Sequence, residues 1–254
     1  MSLQYEKEIE QPQTPAESNE NLQTATTALP VYSIILVVCL IAVSVCQFWV
    51  DGESGILLGG GKSILFAGFN KSLFLDGQYW RILTGATLHG GLVHLAFNCY
   101  ALYVLGKLIE VLSNRAHLAI VFLLSVIGGG VLSLIFLPDV PSVGASGGIV
   151  GFLGYLAVYG YRRRQLLTNA FLKNMLFNIG FIALYGYFLR EYVDNFGHLG
   201  GLLVGVIYGF FQISGDVYKD PRKVGKTTEF LGLIALGIFI ATSIFSILVV
   251  LRII

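Results

Sequence analysis

A serine and a histidine stand inside segments of this sequence that are otherwise almost wholly apolar. Ser146 lies in Gly-Ala-Ser-Gly at the start of one apolar run, and His198 lies 52 positions later in Gly-His-Leu-Gly-Gly at the start of another. Polar and ionisable side chains at bilayer depth cost free energy, so they are candidates for function. A histidine that takes the proton of a serine hydroxyl makes that serine a nucleophile for acyl transfer. The pair therefore predicts a serine hydrolase built within a membrane.

The composition supports a membrane protein. The chain of 254 residues is 55% hydrophobic and 12% charged, which is unlike an ordinary soluble domain. A helix that crosses a bilayer needs roughly 20 apolar residues. Long continuous runs favour helices over the short alternating strands of a barrel, because lipid-exposed backbone must satisfy its own hydrogen bonds. We therefore predict an all-α, polytopic membrane helix bundle with seven spans at 31–50, 91–112, 117–137, 146–161, 174–189, 196–213 and 230–251.

Basic residues are distributed unequally between the two sides of these spans. Loops 113–117, 162–173 and 214–228, with the adjoining helix ends, carry ten of the sixteen lysines and arginines. The positive-inside rule places such loops in the cytoplasm. The amino terminus is then expected in the cytoplasm and, after seven spans, the carboxyl terminus outside. We expect the chain in the inner membrane of a bacterial cell.

The remaining segments complete the predicted domain organisation. Residues 1–30 are polar and acidic with little to bury, which predicts a disordered cytoplasmic tail. The long connection at 51–90 is rich in apolar residues and contains a tryptophan, so we expect it to lie partly in the membrane interface. The first six spans would form a core at 31–213. A basic cytoplasmic linker at 214–229 would join this core to the seventh span at 230–254.

Three of the predicted spans bring polar residues to the same depth. The second, fourth and sixth spans all run from outside to inside, and their first turns hold His94 and Asn98, Ser146, and His198. His94 and Asn98 share one helix face, where they either tighten the bundle or donate to a developing oxyanion. No carboxylate is placed to orient His198, which predicts a Ser–His dyad. Asp194, four residues earlier, is expected to cap the helix.

Small residues offer a second interpretation of the serine segment. Gly-Ala-Ser-Gly could serve only as a small face for close helix packing, and for Ser146 taken alone this is the better interpretation. Gly201, Gly205 and Gly209 recur every four residues on the helix of His198. Such a stripe would let a glycine-bearing partner helix approach closely, which would bring the serine within reach of the histidine.

The sequence closely resembles the rhomboid intramembrane serine proteases over roughly residues 55–212. The matching elements, in order, are Tyr79-Trp80-Arg81; His89 with His94-Leu95-Ala96-Phe97-Asn98; Gly144-Ala145-Ser146-Gly147; and Asn195-Phe196-Gly197-His198-Leu199-Gly200-Gly201, continuing to Gly205 and Gly209. One position departs from the family pattern. Val150 stands where many members have an aromatic ring that stacks on the catalytic histidine, and Phe152 or Tyr155 could compensate.

The resemblance implies a six-helix catalytic core with one extra C-terminal span. Ser146 would be the nucleophile and His198 the general base. His94, Asn98 and the backbone N–H of Ser146 would form the oxyanion hole, with Gly144 in the adjoining loop. The implied partners are the lipid bilayer and transmembrane protein substrates, cut near the outer ends of their spanning segments.

Two other classes of function compete with proteolysis as interpretations of the sequence. A non-proteolytic rhomboid-like protein that binds membrane helices is the alternative, although such proteins typically lack the serine or the histidine. A transporter would show broken helices in paired halves, which this sequence lacks. No second histidine, cysteine or carboxylate is close enough in sequence to His198 to suggest a metal site. We therefore expect no metal, no other cofactor and no nucleic-acid partner.

Overall fold

The computed structural model describes residues 29–59, 61–216 and 218–254. Within these ranges the regular structure is helical, and a short 3₁₀ helix covers Gly85–Thr87. One isolated antiparallel bridge joins Phe69 and Ser142. The tail predicted at 1–30 lies outside the described residues up to position 28. The α-helices are α1 (Val31–Leu58), α2 (Lys62–Ala67), α3 (Lys71–Leu75), α4 (Arg81–Thr84), α5 (Leu92–Leu112), α6 (Arg115–Phe136), α7 (Ser146–Arg162), α8 (Asn169–Phe188), α9 (Asn195–Gln212) and α10 (Lys226–Val250).

Each of the seven predicted apolar runs coincides with a long helix, which confirms the all-α membrane bundle. Among the described residues, four helices are long and apolar enough to cross a membrane by length and composition, namely α1, α5, α6 and α10. The spanning of α7, α8 and α9 stays a prediction. The run predicted to end at residue 50 is followed by a kink in α1 at Gly52, whose φ of 68° is not helical.

Helix α7 is enclosed by the bundle. It packs against α5, α6, α8 and α9, and its large side chains Phe152, Tyr155 and Leu156 are fully buried. Neighbouring helices can approach it because small residues recur along its length at Gly147, Gly151 and other positions. A helix surrounded in this way offers a rigid support for whatever stands at its first turn.

Helix α9 lies in backbone contact with two neighbours. A methyl group at Gly201 would lie 1.9 Å from the carbonyl oxygen of Gly147 on α7, and one at Gly205 would lie 1.9 Å from that of Gly151. On another side of α9, a methyl group at Gly200 would lie 2.3 Å from a carbonyl oxygen of α6. No carbon atom fits at such distances. The backbones of α7 and α9 therefore touch, as the glycine stripe in the sequence predicts.

The long connection at 51–90, called the first loop below, folds into short helices that pack on the bundle. The Arg81 side chain is buried and donates to the carbonyl oxygens of Leu65 (3.3 Å) and Gly68 (2.9 Å). Thr84 Oγ1 donates to the carbonyl oxygen of Ala67 at 2.7 Å. These bonds hold the loop in one compact arrangement. Its depth in the membrane stays a prediction.

The seventh long helix, α10, packs on both the bundle and the first loop. It contacts α1 and α6 along its length. Near its C-terminal end Thr87 Oγ1 donates to Ser246 Oγ at 2.9 Å, and the rings of Trp80 and Phe245 meet edge to face with centroids 5.3 Å apart. The first loop is therefore held between α10 and the rest of the bundle.

The glycine contacts can be tested with a matched pair of substitutions. Gly205→Ala should lower the melting temperature of the purified protein, because overpacking of this kind typically costs about 1–3 kcal/mol. Gly180→Ala is the control, since a methyl group at Gly180 of α8 would meet nothing within 4 Å. The control should be neutral or slightly stabilising, because alanine is the better helix former. Equal melting temperatures for the two variants, measured in one detergent, would contradict backbone contact between α7 and α9.

Candidate active site

Ser146 and His198 meet at the N-terminal ends of α7 and α9. Ser146 is the first residue of α7, and His198 lies in the first turn of α9. The Nε2 atom of His198 and the Oγ atom of Ser146 are 2.9 Å apart, a hydrogen-bonding distance. Both side chains are partly buried. The structure therefore joins the two residues that the sequence pairs, and the backbone contact between α7 and α9 explains how they reach each other.

The other ring nitrogen of His198 has no partner. Its Nδ1 atom is buried and forms no hydrogen bond with any residue that the structure describes. When the serine hydroxyl donates to Nε2, a neutral imidazole carries its proton on Nδ1. No carboxylate receives that proton here. The geometry is that of a dyad.

Asp194 caps the helix of His198, as the sequence predicts. Its Oδ1 atom accepts a hydrogen bond from the backbone N–H of Gly197 at 2.7 Å. The carbonyl oxygen of Asp194 accepts one from the backbone N–H of His198 at 3.0 Å. Aspartate is among the preferred residues at this position, since its side chain satisfies an N–H group that the helix leaves free. The cap fixes the first turn of α9.

His94 and Asn98 direct N–H groups toward the segment before the serine. The backbone N–H of Gly90 donates to His94 Nδ1 at 3.2 Å, so the proton of a neutral ring lies on Nε2. Asn98 Nδ2 donates to the carbonyl oxygen of His94 at 3.0 Å and keeps a second proton. A methyl group at Gly144 would lie 3.0 Å from His94 Nε2 and 3.9 Å from Asn98 Nδ2. Both donors therefore converge beside Gly144, close to Ser146.

Gly144 has no side chain and so leaves room for the ring of His94 beside the segment before the serine. Its φ of 117° is one that residues with a side chain rarely adopt. A methyl group here would lie 2.7 Å from the ring of His94. The N–H of Gly144 already donates to the carbonyl oxygen of Gly85 at 2.9 Å, so it is not free to bind an oxyanion. The backbone N–H of Ser146 is better placed for that task, because the first turn of a helix leaves its N–H groups without intrahelical partners.

Residues 137–145, called the serine loop below, are joined to the first loop by backbone and side-chain bonds. Phe69 and Ser142 exchange two backbone hydrogen bonds of 3.0 and 3.1 Å. The buried ammonium group of Lys71 donates to the carbonyl oxygen of Val140 and to Ser142 Oγ. Neither Lys71 nor Ser142 was predicted from the sequence to lie at the site. A lysine in a predicted loop is expected to be exposed to water. No pattern in the sequence shows that the first loop and the serine loop meet.

His89 holds the first loop against α1. Gln47 Nε2 donates to the backbone carbonyl oxygen of His89 at 2.7 Å. The backbone N–H of His89 donates to Gln47 Oε1 at 2.9 Å. Ser44 Oγ lies 3.3 Å from His89 Nδ1. The His89 ring packs edge to face on His94, with centroids 5.3 Å apart. His89 thus supports the ring of His94 from behind.

Phe152 and Tyr155 do not replace the aromatic ring that is missing at Val150. Phe152 packs against Phe122, with ring centroids 5.7 Å apart. The Tyr155 hydroxyl forms a hydrogen bond of 2.6 Å with Ser113, toward the other end of α7. Both rings are therefore engaged away from His198. The suggestion that either compensates was wrong, because both project into helix contacts that the sequence does not reveal.

A cavity of about 50 Å³ opens beside Ser146 and His198. Its wall includes Gly144 of the serine loop and the polar residues Ser133 and Asp194. A space of this size with polar partners can hold more than one water molecule. The cavity therefore provides room beside the serine hydroxyl for water or for part of a substrate.

Comparisons with known proteins identify a family. A family model for the rhomboid domain matches residues 76–215. Rhomboid protease GluP of Bacillus subtilis (strain 168) is 31% identical over 190 residues, which are 73% of this chain and 36% of that protein. Putative rhomboid protease YdcA of the same organism is 29% identical over 195 residues, 76% of this chain and 94% of that protein.

Plant proteins are similar as well. RHOMBOID-like protein 2 of Arabidopsis thaliana is 37% identical over 149 residues, 56% of this chain and 44% of that protein. The chain spans about a third to a half of the length of the first curated relatives that it matches. The similarity to YdcA, by contrast, extends over nearly the whole of that protein.

The buried lysine between the two loops predicts a pH dependence of stability. Burial lowers the pKa of Lys71 from 10.5 to about 8, and the charge of Asp194 partly opposes this change. Between these two pH values the unfolded chain binds more protons than the folded one, so the free energy of unfolding rises with pH. The melting temperature of the wild type, measured relative to Lys71→Met, should therefore rise from pH 8 to pH 10. A difference that is constant over this interval would contradict the burial of a charged Lys71.

Proposed function

The chain belongs to the rhomboid family, and we propose that it is an intramembrane serine protease in which Ser146 and His198 hydrolyse peptide bonds of other membrane proteins. The hydrogen bond of 2.9 Å between His198 Nε2 and Ser146 Oγ is the observation that carries this proposal. A base within hydrogen-bonding distance of a hydroxyl is the arrangement that activates a serine nucleophile. The names of the relatives GluP and YdcA as rhomboid proteases agree with it.

The reaction proceeds through an acyl-enzyme. Ser146 Oγ attacks the carbonyl carbon of the scissile bond while its proton moves to His198 Nε2. The C–N bond then breaks as His198 returns the proton to the departing amine nitrogen, which leaves an ester on Ser146. Water attacks this ester and gives a proton to His198. The bond between the acyl carbon and Ser146 Oγ then breaks as His198 returns the proton to Oγ, which releases the acid product and restores the free serine. The polar cavity beside the dyad is the source of that water in this proposal.

Three donors stabilise the oxyanion that forms at each addition step. His94 Nε2–H and the second N–H of Asn98 converge beside Gly144, and the backbone N–H of Ser146 lies at the free end of α7. Donors that are already oriented need no rearrangement when charge develops on the oxygen. In a membrane protein the low dielectric strengthens such hydrogen bonds further.

The proposed site opens toward the outer face of a bacterial cell membrane. The chain is an integral membrane protein that crosses the bilayer several times. With the basic loops in the cytoplasm, the first turns of α5, α7 and α9 lie at the outer side. Substrates are then transmembrane segments cut near their outer ends. In this proposal a six-helix catalytic core at 31–213 is followed by a basic cytoplasmic linker at 214–229 and a seventh membrane helix at 230–254.

Cleavage assays test the dyad. Purified protein in liposomes should cut members of a panel of single-span substrates, with products mapped by mass spectrometry. Ser146→Ala and His198→Ala should each abolish cleavage, and the double variant should be no worse, because residues that act as a unit are not additive. Ser72→Ala, at an exposed serine of the first loop, is the control and should cleave normally. Cleavage by Ser146→Ala would refute the proposal, and binding of substrates without any cleavage by the wild type would favour the non-proteolytic alternative.

Separate substitutions test the oxyanion donors. His94→Ala and Asn98→Ala should each lower kcat by about 10²–10³, the usual loss for one oxyanion-hole donor. His89→Ala should act mainly on the melting temperature, because His89 anchors the first loop and touches the site only through His94. The measurement is turnover per folded molecule, with the melting temperature recorded for each variant. Full turnover in both His94→Ala and Asn98→Ala would remove the oxyanion assignment.

A further inference from the structure

We propose that Asp194 is a positioning residue whose carboxylate links the helix of His198 to the loop of Ser146 and so sets the geometry of the dyad. The inference rests on the proposed function of these two residues. It goes beyond helix capping, because the cap occupies only one of the two carboxylate oxygens.

The first oxygen fixes Asp194 relative to His198. Oδ1 accepts from the N–H of Gly197 at 2.7 Å, and the carbonyl oxygen of Asp194 accepts from the N–H of His198 at 3.0 Å. The carboxylate and the imidazole therefore belong to one turn of α9. A displacement of the carboxylate would move the start of this helix, and the histidine with it.

The second oxygen reaches two other segments. Oδ2 of Asp194 accepts from Ser142 Oγ at 2.6 Å and also from the hydroxyl of Ser133 on α6. The two hydroxyl oxygens lie 3.0 Å apart. Ser142 belongs to the serine loop, four residues before Ser146. One carboxylate thus connects α9, α6 and the segment that leads to the nucleophile.

The buried lysine balances the charge of this cluster. Lys71 Nζ donates to Ser142 Oγ, whose proton goes to Asp194 in turn. Asp194 is partly buried, and a carboxylate removed from water is tolerated when donors and an opposite charge surround it. Ser142 is also paired through its backbone with Phe69. The connection between Asp194 and the serine loop is therefore braced from the first loop as well.

The geometry of the proposed dyad depends on such a link because no third residue orients His198 as a carboxylate does in a triad. His198 Nδ1 has no hydrogen-bond partner among the described residues, so no hydrogen bond from them orients the imidazole on that side. The separation of 2.9 Å between His198 Nε2 and Ser146 Oγ then depends on how the starts of α9 and α7 are placed. Glycine contacts set that placement below the dyad, and the Asp194–Ser142 hydrogen bond sets it above.

Ser142→Ala is the decisive variant. It removes the link to the serine loop and leaves the cap on Gly197 and the backbone pairing with Phe69 in place. We expect kcat per folded molecule to fall by about 10-fold to 100-fold, the scale of loss that a small misplacement of reacting groups produces. KM should stay unchanged. Ser142→Thr keeps a hydroxyl and should restore most of the activity.

Asp194 variants and a capping control complete the experiment. Asp194→Ala should lower kcat at least as far as Ser142→Ala, and the double variant should lose less than the product of the two single effects. Asn114→Ala is the control, since Asn114 Oδ1 caps α6 through the N–H of Ala116 at 2.7 Å, far from the dyad. It should lower the melting temperature and leave kcat per folded molecule unchanged.

The outcomes separate this inference from the proposed function. Wild-type kcat in Ser142→Ala, measured per folded molecule, would overturn the link even if Asp194→Ala failed to fold. Strictly multiplicative losses in the double variant would overturn it as well. Equal cleavage of substrate by the wild type and by Ser146→Ala would instead refute the proposed protease function itself. A fall in kcat for Ser142→Ala, with rescue by Ser142→Thr, supports the positioning role.

Discussion

Backbone contact between α9 and its two neighbours is the constraint on which the site depends. Where Gly201 meets Gly147 and Gly205 meets Gly151, the helices are separated by backbone atoms alone. Glycine in a helix interior is unfavourable by about 1 kcal/mol relative to alanine. In a membrane the close approach that it permits is a main source of helix association. This approach brings a serine on one helix within 2.9 Å of a histidine on another.

Polar contacts at the end of the bundle that holds Ser146 and His198 add to this glycine packing. The first loop, the serine loop and the start of α9 are joined through buried and partly buried polar groups, with Ser142 at the junction. A buried polar group without a partner is costly, so each of these groups favours one arrangement of the segments around it. The site is thus fixed from below by glycine packing and from above by hydrogen bonds. The proposed protease chemistry needs both, because its imidazole has no carboxylate of its own.

The sequence predicted the long helices, and it singled out Ser146 and His198 as candidates, because these signals are local. Apolar runs mark helices, and a four-residue glycine spacing marks a packing face. Helix boundaries were less certain: α8 begins at Asn169, ahead of the run predicted from 174, since polar residues in its first turns hide it. The aspartate cap at Asp194 was also predictable, because capping depends on residues adjacent in the chain.

What the sequence could not reveal depends on contacts between distant segments. The short helices of the first loop, the burial of Lys71 and the second acceptor oxygen of Asp194 all arise where separate parts of the chain meet. The hydrogen bond from the Gly144 N–H to Gly85, and the packing of Phe152 on Phe122, likewise arise from contacts between distant segments. The spacing of residues along the sequence does not predict such contacts.

The activation of one serine by one histidine is the central claim, and covalent labelling tests it most directly. Purified protein treated with a fluorophosphonate should gain one adduct, and peptide mass spectrometry should place it on Ser146. His198→Ala should prevent the reaction, since Ser146 then has no base within hydrogen-bonding distance. Labelling of Ser146 at the same rate in His198→Ala, or an adduct confined to another serine, would contradict the account.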